Sequence, residues 1–218
     1  MLSTTTSSEA EGLIPNEAVA LLNIGTSCQF SAVLPSHTDG PEESSWRKYA
    51  SKAGSEVRPY FYGRQLLVAA ALSGGNTLAT FAQSLKGWVD AIVAKSGGGT
   101  TSVDSVYSVL NEASEELEAS SVMSDLDFDP RFFGERVDTA ARASIRNISA
   151  ENFTLGHMWQ SLQQGLVSNV LTLVGGKEVL QALKVQRIIC VGGYDKYLKH
   201  VLATFVSFDE SVLLLLKL

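Results

Sequence analysis

Cysteine is scarce in this chain. Cys28 and Cys190 are the only two, and they lie far apart in apolar stretches. That excludes a disulfide framework and reads as two buried thiols in a reducing compartment. Long apolar runs are missing as well. The terminal SVLLLLKL falls well short of the ~20 apolar residues that span a bilayer. The opening MLSTTTSSEAEG has neither a basic flank nor an apolar core, so it is not a secretory signal. Basic residues are outnumbered, 17 Lys and Arg against 23 Asp and Glu, for a net charge of −6. A general nucleic-acid partner needs the opposite balance. The three histidines have no metal-ligand spacing, which argues against zinc. Neither GxxxxGK[ST] nor GxGxxG occurs, so the common mononucleotide and dinucleotide fingerprints are absent. These absences leave a cytoplasmic protein without membrane or nucleic-acid partner as the expectation.

What is present is a real core, with 45% hydrophobic residues, arranged in α/β order. Residues 1–15 read as a disordered leader, and residues 16–218 as one nucleotide-binding domain. Glu17 to Ile24 and Cys28 to Leu34 read as strands; in the second, Cys28, Phe30, Ala32 and Leu34 share a face at period two. Residues 35–57 are polar and turn-rich. An apolar run, Leu66 to Leu72, then leads into a helix with Asn76 as N-cap and Leu78, Phe81, Leu85, Trp88, Val89 and Ile92 as its inward stripe. SGGGTTS (96–102) separates that helix from another over Val103 to Leu117. DLDFDPRFFGER (125–136) has no period and reads as an ordered loop with solvated acids. Thr154 to Val174 carries the clearest helical stripe, stopped by Gly175-Gly176. A short helix, Lys177 to Leu183, precedes a strand from Arg187 to Val191. Gly192-Gly193 then opens a last helix containing Tyr197, Leu198 and Val201.

Three glycine turns each follow an apolar strand: Gly25-Thr26-Ser27, Gly74-Gly75-Asn76 and Gly192-Gly193. Glycine lets backbone approach a ligand closely, and a helix start offers N–H groups and partial positive charge. Ligands collect at strand C-terminal ends in such sheets. Together the turns could cradle a nucleotide's phosphates, with the Thr26 and Ser27 hydroxyls as added donors.

The segments AVALLNIGTSCQFSAVLP, RPYFYGRQLLVAAALSGGNTLATF, GER (134–136) and ISAENFTLGHMWQSLQQGLVSNV follow one another in this order. In this they resemble the C-terminal half of the FGGY carbohydrate kinases. LSGGNTLATF together with TLGH carries most of the specificity. The resemblance spans residues 17 to about 191. It implies a ribonuclease-H-like fold, as in actin and hexokinase, and the C-terminal domain of a two-domain sugar kinase. It also implies ATP and magnesium in a cleft, with the sugar held mainly on an N-terminal domain. Thr26 would face the nucleotide phosphates, Gly75 would lie in the second phosphate turn, and Gly192-Gly193 would meet adenosine.

The family keeps its catalytic aspartate in a Gly-Asp motif just upstream of the first turn. No Gly-Asp occurs here, and no aspartate precedes Glu17. The expectation is therefore a chain without a catalytic residue of its own. Gly193 runs straight into Tyr194-Asp195-Lys196 and the family's late helix is replaced by SVLLLLKL, so the domain is expected to be truncated or altered after about residue 193. Two functions stay open. One is the nucleotide-binding half of an ATP-dependent kinase that turns a ketose into its phosphate; the other is an inactive remnant or binding module of the same fold. Glu135-Arg136 reads as an ion pair bracing its loop, and His157 as packed or capping.

Overall fold

In the computed structural model, residues 18–34, 48, 50–120, 122, 124–183, 185–192 and 213–216 are described. The expected leader at 1–15, the glycine at 193 and the last helix around Tyr197 lie outside them. The backbone begins with the strands β1 (Ala18–Ile24) and β2 (Cys28–Val33), followed by β3 (Glu56–Pro59) and β4 (Gln65–Ala71). Two helices follow, α1 (Gly75–Lys95) and α2 (Val103–Ala119), and then a small two-stranded sheet of β5 (Asp127–Asp129) and β6 (Ser144–Arg146). Helices α3 (Leu155–Val174) and α4 (Gly176–Ala182) lead into β7 (Val185–Gly192), and β8 (Leu213–Leu216) comes last.

The main sheet has the order β3-β4-β2-β1-β7-β8. β1, β2 and β4 form an antiparallel meander, whereas β7 pairs parallel to β1 and β8 parallel to β7. With β3 as an added edge, this is the ribonuclease-H-like topology expected of the family. It has one consequence for function. β4 and β7 both run parallel to β1, so these three strands end on the same edge of the sheet.

The alternation in β2 is real: Cys28, Phe30 and Ala32 are buried and Gln29 is exposed. They join Ala20, Leu22, Ile24, Leu67, Ala69 and Ala71 beneath the second half of α3, where Val167, Val170, Leu173 and Val174 are buried. Alanines in β4 let α3 approach the sheet closely. The first half of α3 contributes to a second core, where Trp159, Leu162 and Leu166 meet Phe81, Leu110 and Phe128. Phe81 stacks on Trp159, and the indole N–H donates to Asn111 Oδ1 at 3.0 Å. Helix α3 thus ties the sheet to the layer formed by α1, α2 and β5. Its ends are those read from sequence. Thr154 caps it by accepting from the His157 amide, and Gly175 stops it in the left-handed region at φ 108°. The His157 ring is part of that cap, 2.9 Å from Thr154 Oγ1.

Two expectations need correction. The stripe on α1 is buried only through Leu78, Phe81 and Ala82; Trp88 and Ile92 are 61% and 68% exposed. The period continues along the helix, but the layer packed against it does not. The acidic segment at 125–136 is not a plain loop either. Asp127 to Asp129 is a strand paired with Ser144–Arg146, and its acids are engaged. Asp127 pairs with Arg146, Asp129 takes a two-pronged contact from Arg131, and Asp125 accepts from Asn152. Among the described residues no cluster of three His, Cys, Asp or Glu side chains could hold a metal ion. Among them also, no helix is long and apolar enough to cross a membrane.

Both thiols are free and buried, as expected. Burial, and for Cys28 also the negative charge of Glu135, pushes each up to about 12. In an unfolded chain the same groups titrate near 9. Between these values the unfolded chain holds fewer protons, so stability falls as pH rises. The expected loss is up to about 1.4 kcal/mol per pH unit for each thiol above pH ~9, with no effect below pH ~8. Urea midpoints at pH 8 and pH 10 check this. The Cys28→Ala, Cys190→Ala double variant should show a flatter decline than the native sequence, and equal slopes would contradict it.

Candidate functional site

The Gly25-Thr26-Ser27 turn closes the β1–β2 hairpin, and all three residues are exposed. The Gly25 N–H donates to the Ser27 carbonyl at 3.1 Å, which keeps the turn tight. The amides and hydroxyls of Thr26 and Ser27 have no hydrogen-bond partner among the described residues. A Cβ placed on Gly25 would meet nothing within 4 Å. The turn therefore presents several donors that no described residue engages, around open space.

The second turn, Ser73 to Asn76, sits directly against the first. Gly75 N–H donates to the Gly25 carbonyl at 2.8 Å and Asn76 N–H to the Thr26 carbonyl at 3.0 Å. The Cys28 N–H donates to the Ser73 carbonyl at 3.1 Å. A Cβ on Gly74 would lie 2.6 Å from Ser27 backbone carbon and 2.9 Å from Cys28 nitrogen. Glycine is needed here for close approach, not for an unusual dihedral. The N–H groups that a helix start was expected to offer are thus already taken. Asn76 is also not the N-cap. Gly74 occupies that position, and Asn76 lies one residue inside α1, which begins at Gly75. From there its carboxamide oxygen accepts from the Gly74 and Thr77 amides at 2.9 and 2.8 Å, and its nitrogen donates to the Leu72 carbonyl at 3.0 Å. Asn76 thus satisfies the helix start from within the first turn.

Gly192, the last residue of β7, is the register partner of Ile24, the last residue of β1. Its φ is 140°, and a Cβ would overlap the Ile24 carbonyl oxygen. The first two glycine turns and Gly192 are therefore brought together at one edge of the sheet, at the C-terminal ends of β1, β4 and β7. Of the positions singled out in sequence, Gly25, Thr26, Ser27, Gly74, Gly75, Asn76 and Gly192 gather there, and Gly193 lies outside the described residues. A shallow pocket of about 380 Å³ elsewhere is lined by Lys52, Ala53, Thr172, Gly175 and Gly176 and includes none of them.

The adjacent Arg136 suggests an ion pair for Glu135, and the structure instead gives the carboxylate uncharged partners. Glu135 is 1% exposed, and no ion pair among the described residues includes it. Its carboxylate accepts from the Leu72 N–H at 3.1 and 3.3 Å, the Arg136 N–H at 2.8 Å and Asn169 Nδ2 at 3.0 Å. Leu72 is 63 positions away in sequence, so no local sequence signal points to this contact.

No family model matches the chain. The chain is 31% identical over 173 residues to a sedoheptulokinase of Homo sapiens, a match covering 79% of this chain and 33% of that protein. It is also 31% identical over 158 residues to the sedoheptulokinase of Mus musculus, covering 71% of this chain and 30% of that one. The structure of a xylulose kinase from Rhodospirillum rubrum superposes with a TM-score of 0.58 at 17% identity, covering 95% of this chain and 36% of that one. The chain is thus similar in sequence to sugar kinases over most of its length and shares the fold of solved sugar kinases. Within that class its curated relatives are sedoheptulokinases, of whose length it spans about a third.

Proposed function

We propose that this chain is the nucleotide-binding part of an ATP-dependent, sedoheptulokinase-like carbohydrate kinase of the cytoplasm. The reaction would pass the γ-phosphoryl group of ATP to a ketose hydroxyl. The observation that carries this reading is the convergence of two glycine turns and Gly192 at one sheet edge, with the exposed Gly25-Thr26-Ser27 turn holding donors that no described residue engages. Thr26 and Ser27 would hydrogen-bond phosphate oxygens. Gly74, Gly75 and Asn76 would form the rigid wall behind them. Gly192 and Gly193 would approach the nucleoside. Open space at Gly25 leaves room for an incoming phosphate, which supports this reading.

ATP supplies the electrophilic phosphorus when bound. Backbone and hydroxyl donors of this chain would orient it and offset charge on its oxygens, which is the main protein contribution to phosphoryl transfer. Magnesium would rely on the nucleotide's phosphates and on oxygen ligands outside the described residues, and no step is assigned to it. The substrate proton needs a carboxylate acceptor. Glu135 is the buried acid nearest the second turn, and its oxygens are committed to three N–H groups. By the family resemblance, the acceptor and most of the sugar pocket would come from a complementary domain.

Thermal unfolding tests the reading. At a hundred times Kd, ATP with magnesium should stabilise the fold by about 2.7 kcal/mol, or roughly 5–10 °C for a chain of this size. Thr26→Val replaces an exposed hydroxyl, so it should leave the nucleotide-free midpoint within ~1 °C and remove most of the ATP effect. No shift with ATP, or an equal shift in the variant, would refute it. Sedoheptulose-dependent ADP release, with a complementary kinase domain supplied, separates an active half from an inactive binding module.

A further inference from the structure

We propose that Glu135 is a positioning residue: through its buried carboxylate, it sets the geometry of the second glycine turn and couples that turn to helix α3. The proposal rests on the reading that these turns face nucleotide phosphates, but the brace itself can be tested without a nucleotide. Four hydrogen-bond distances define it. Both Glu135 oxygens share the Leu72 N–H, Oε1 also accepts from the Arg136 amide, and Oε2 also accepts from Asn169 on α3. Leu72 is the residue immediately before Ser73-Gly74-Gly75-Asn76. Its carbonyl is held on the other side by the Asn76 carboxamide. The peptide groups entering the turn are thus fixed from both directions.

The rest of the 130s loop serves the same end. Pro130 carbonyl accepts from Ser73 Oγ at 3.0 Å and from Thr77 Oγ1 at 3.3 Å, one residue on each side of the glycine pair. Glu135 is itself fixed, because its amide donates to the Asp138 carbonyl at 2.9 Å and the Asp138 amide donates back at 3.1 Å. A buried acid without a cation is costly. Here the cost is offset by three neutral donors, the Leu72 and Arg136 amides and the Asn169 carboxamide. An apolar residue could fill this volume, but it could not hold Leu72 and Asn169 in one fixed relation. Movement of α3 is thereby transmitted to the wall of the phosphate site.

The test compares Glu135→Gln with Val106→Ala, a core variant on α2 outside the hydrogen bonds that brace Leu72, and with Asn169→Ala, which removes one donor. Amide exchange of Gly74 to Thr77 and the affinity for ATP with magnesium are measured well below the melting temperature. Glu135→Gln is expected to speed exchange in the turn and to weaken ATP binding, each about tenfold, the scale typical of a site loosened by a fraction of an ångström. Asn169→Ala should give the same pattern at smaller size, and it carries the test if Glu135→Gln does not fold. Val106→Ala should leave both nearly unchanged. If exchange at the turn responds equally to Glu135→Gln, Asn169→Ala and Val106→Ala, the brace is merely structural and the proposal fails. If the native chain does not bind ATP while turn exchange still responds selectively, the nucleotide reading fails and the brace stands.

Discussion

Gly192→Ala is expected to destabilise the fold by about 3 kcal/mol or more, read as a drop in the urea midpoint. Two costs combine. The backbone at Gly192 has φ 140°, which side-chain-bearing residues rarely adopt, and such strain costs about 1–3 kcal/mol. The added methyl also has nowhere to go. It would overlap the Ile24 carbonyl oxygen and lie 2.9 Å from the carbonyl carbon. Both are backbone atoms of a paired strand, and overpacking of that kind costs about 1–3 kcal/mol. Relief requires β1 and β7 to part at the point where the Gly25 turn begins, so ATP binding should weaken with stability. A midpoint within ~0.5 kcal/mol of the native chain would contradict this placement of the β1–β7 register.

Gly74→Ala should be nearly as damaging, by about 2–3 kcal/mol, although its φ of −172° is not in the left-handed region. The methyl would press on Ser27 and on the Cys28 nitrogen and push the two turns apart. The Gly75-to-Gly25 and Asn76-to-Thr26 hydrogen bonds would then lengthen, and two N–H groups at the start of α1 would lose their partners. Gly25→Ala provides the contrast. It sits in the same site with nothing within 4 Å of the new methyl, so its stability should stay within ~0.5 kcal/mol. Equal losses at Gly25 and Gly74 would contradict the packing of one turn on the other.

Much of this arrangement is legible in the sequence. The alternation of Cys28, Phe30 and Ala32, and the α3 stripe between Thr154 and Gly175, follow directly from periodicity and end signals. The three glycine turns are visible as punctuation. The meeting of the first two with Gly192 is not, because strand order depends on pairings between distant segments. Ile24 meets Gly192 only through the parallel β1–β7 ladder. Asn76 is displaced from the expected cap because a long carboxamide can reach back over Gly74. Trp88 and Ile92 keep the helical period of α1 beyond the layer that buries its first half. Glu135 is the instructive case. Its neighbour in sequence is a cation, but its partners in space are Leu72 and Asn169, which no local pattern reveals. β5 is too short, at three residues, for alternation to show.

The central claim is that Gly25, Thr26 and Ser27, walled by the second turn and flanked by Gly192, face the phosphates of a nucleotide. A titration of the 15N-labelled chain with ATP and magnesium, followed by amide NMR, tests it most directly. The account predicts the largest shifts at Gly25, Thr26, Ser27 and Gly192, smaller ones at Gly75 and Asn76, and little change at Lys52, Thr172 and Gly175. Shifts centred on the Lys52 and Gly175 pocket, or none at the turns when ATP is saturating, would contradict it.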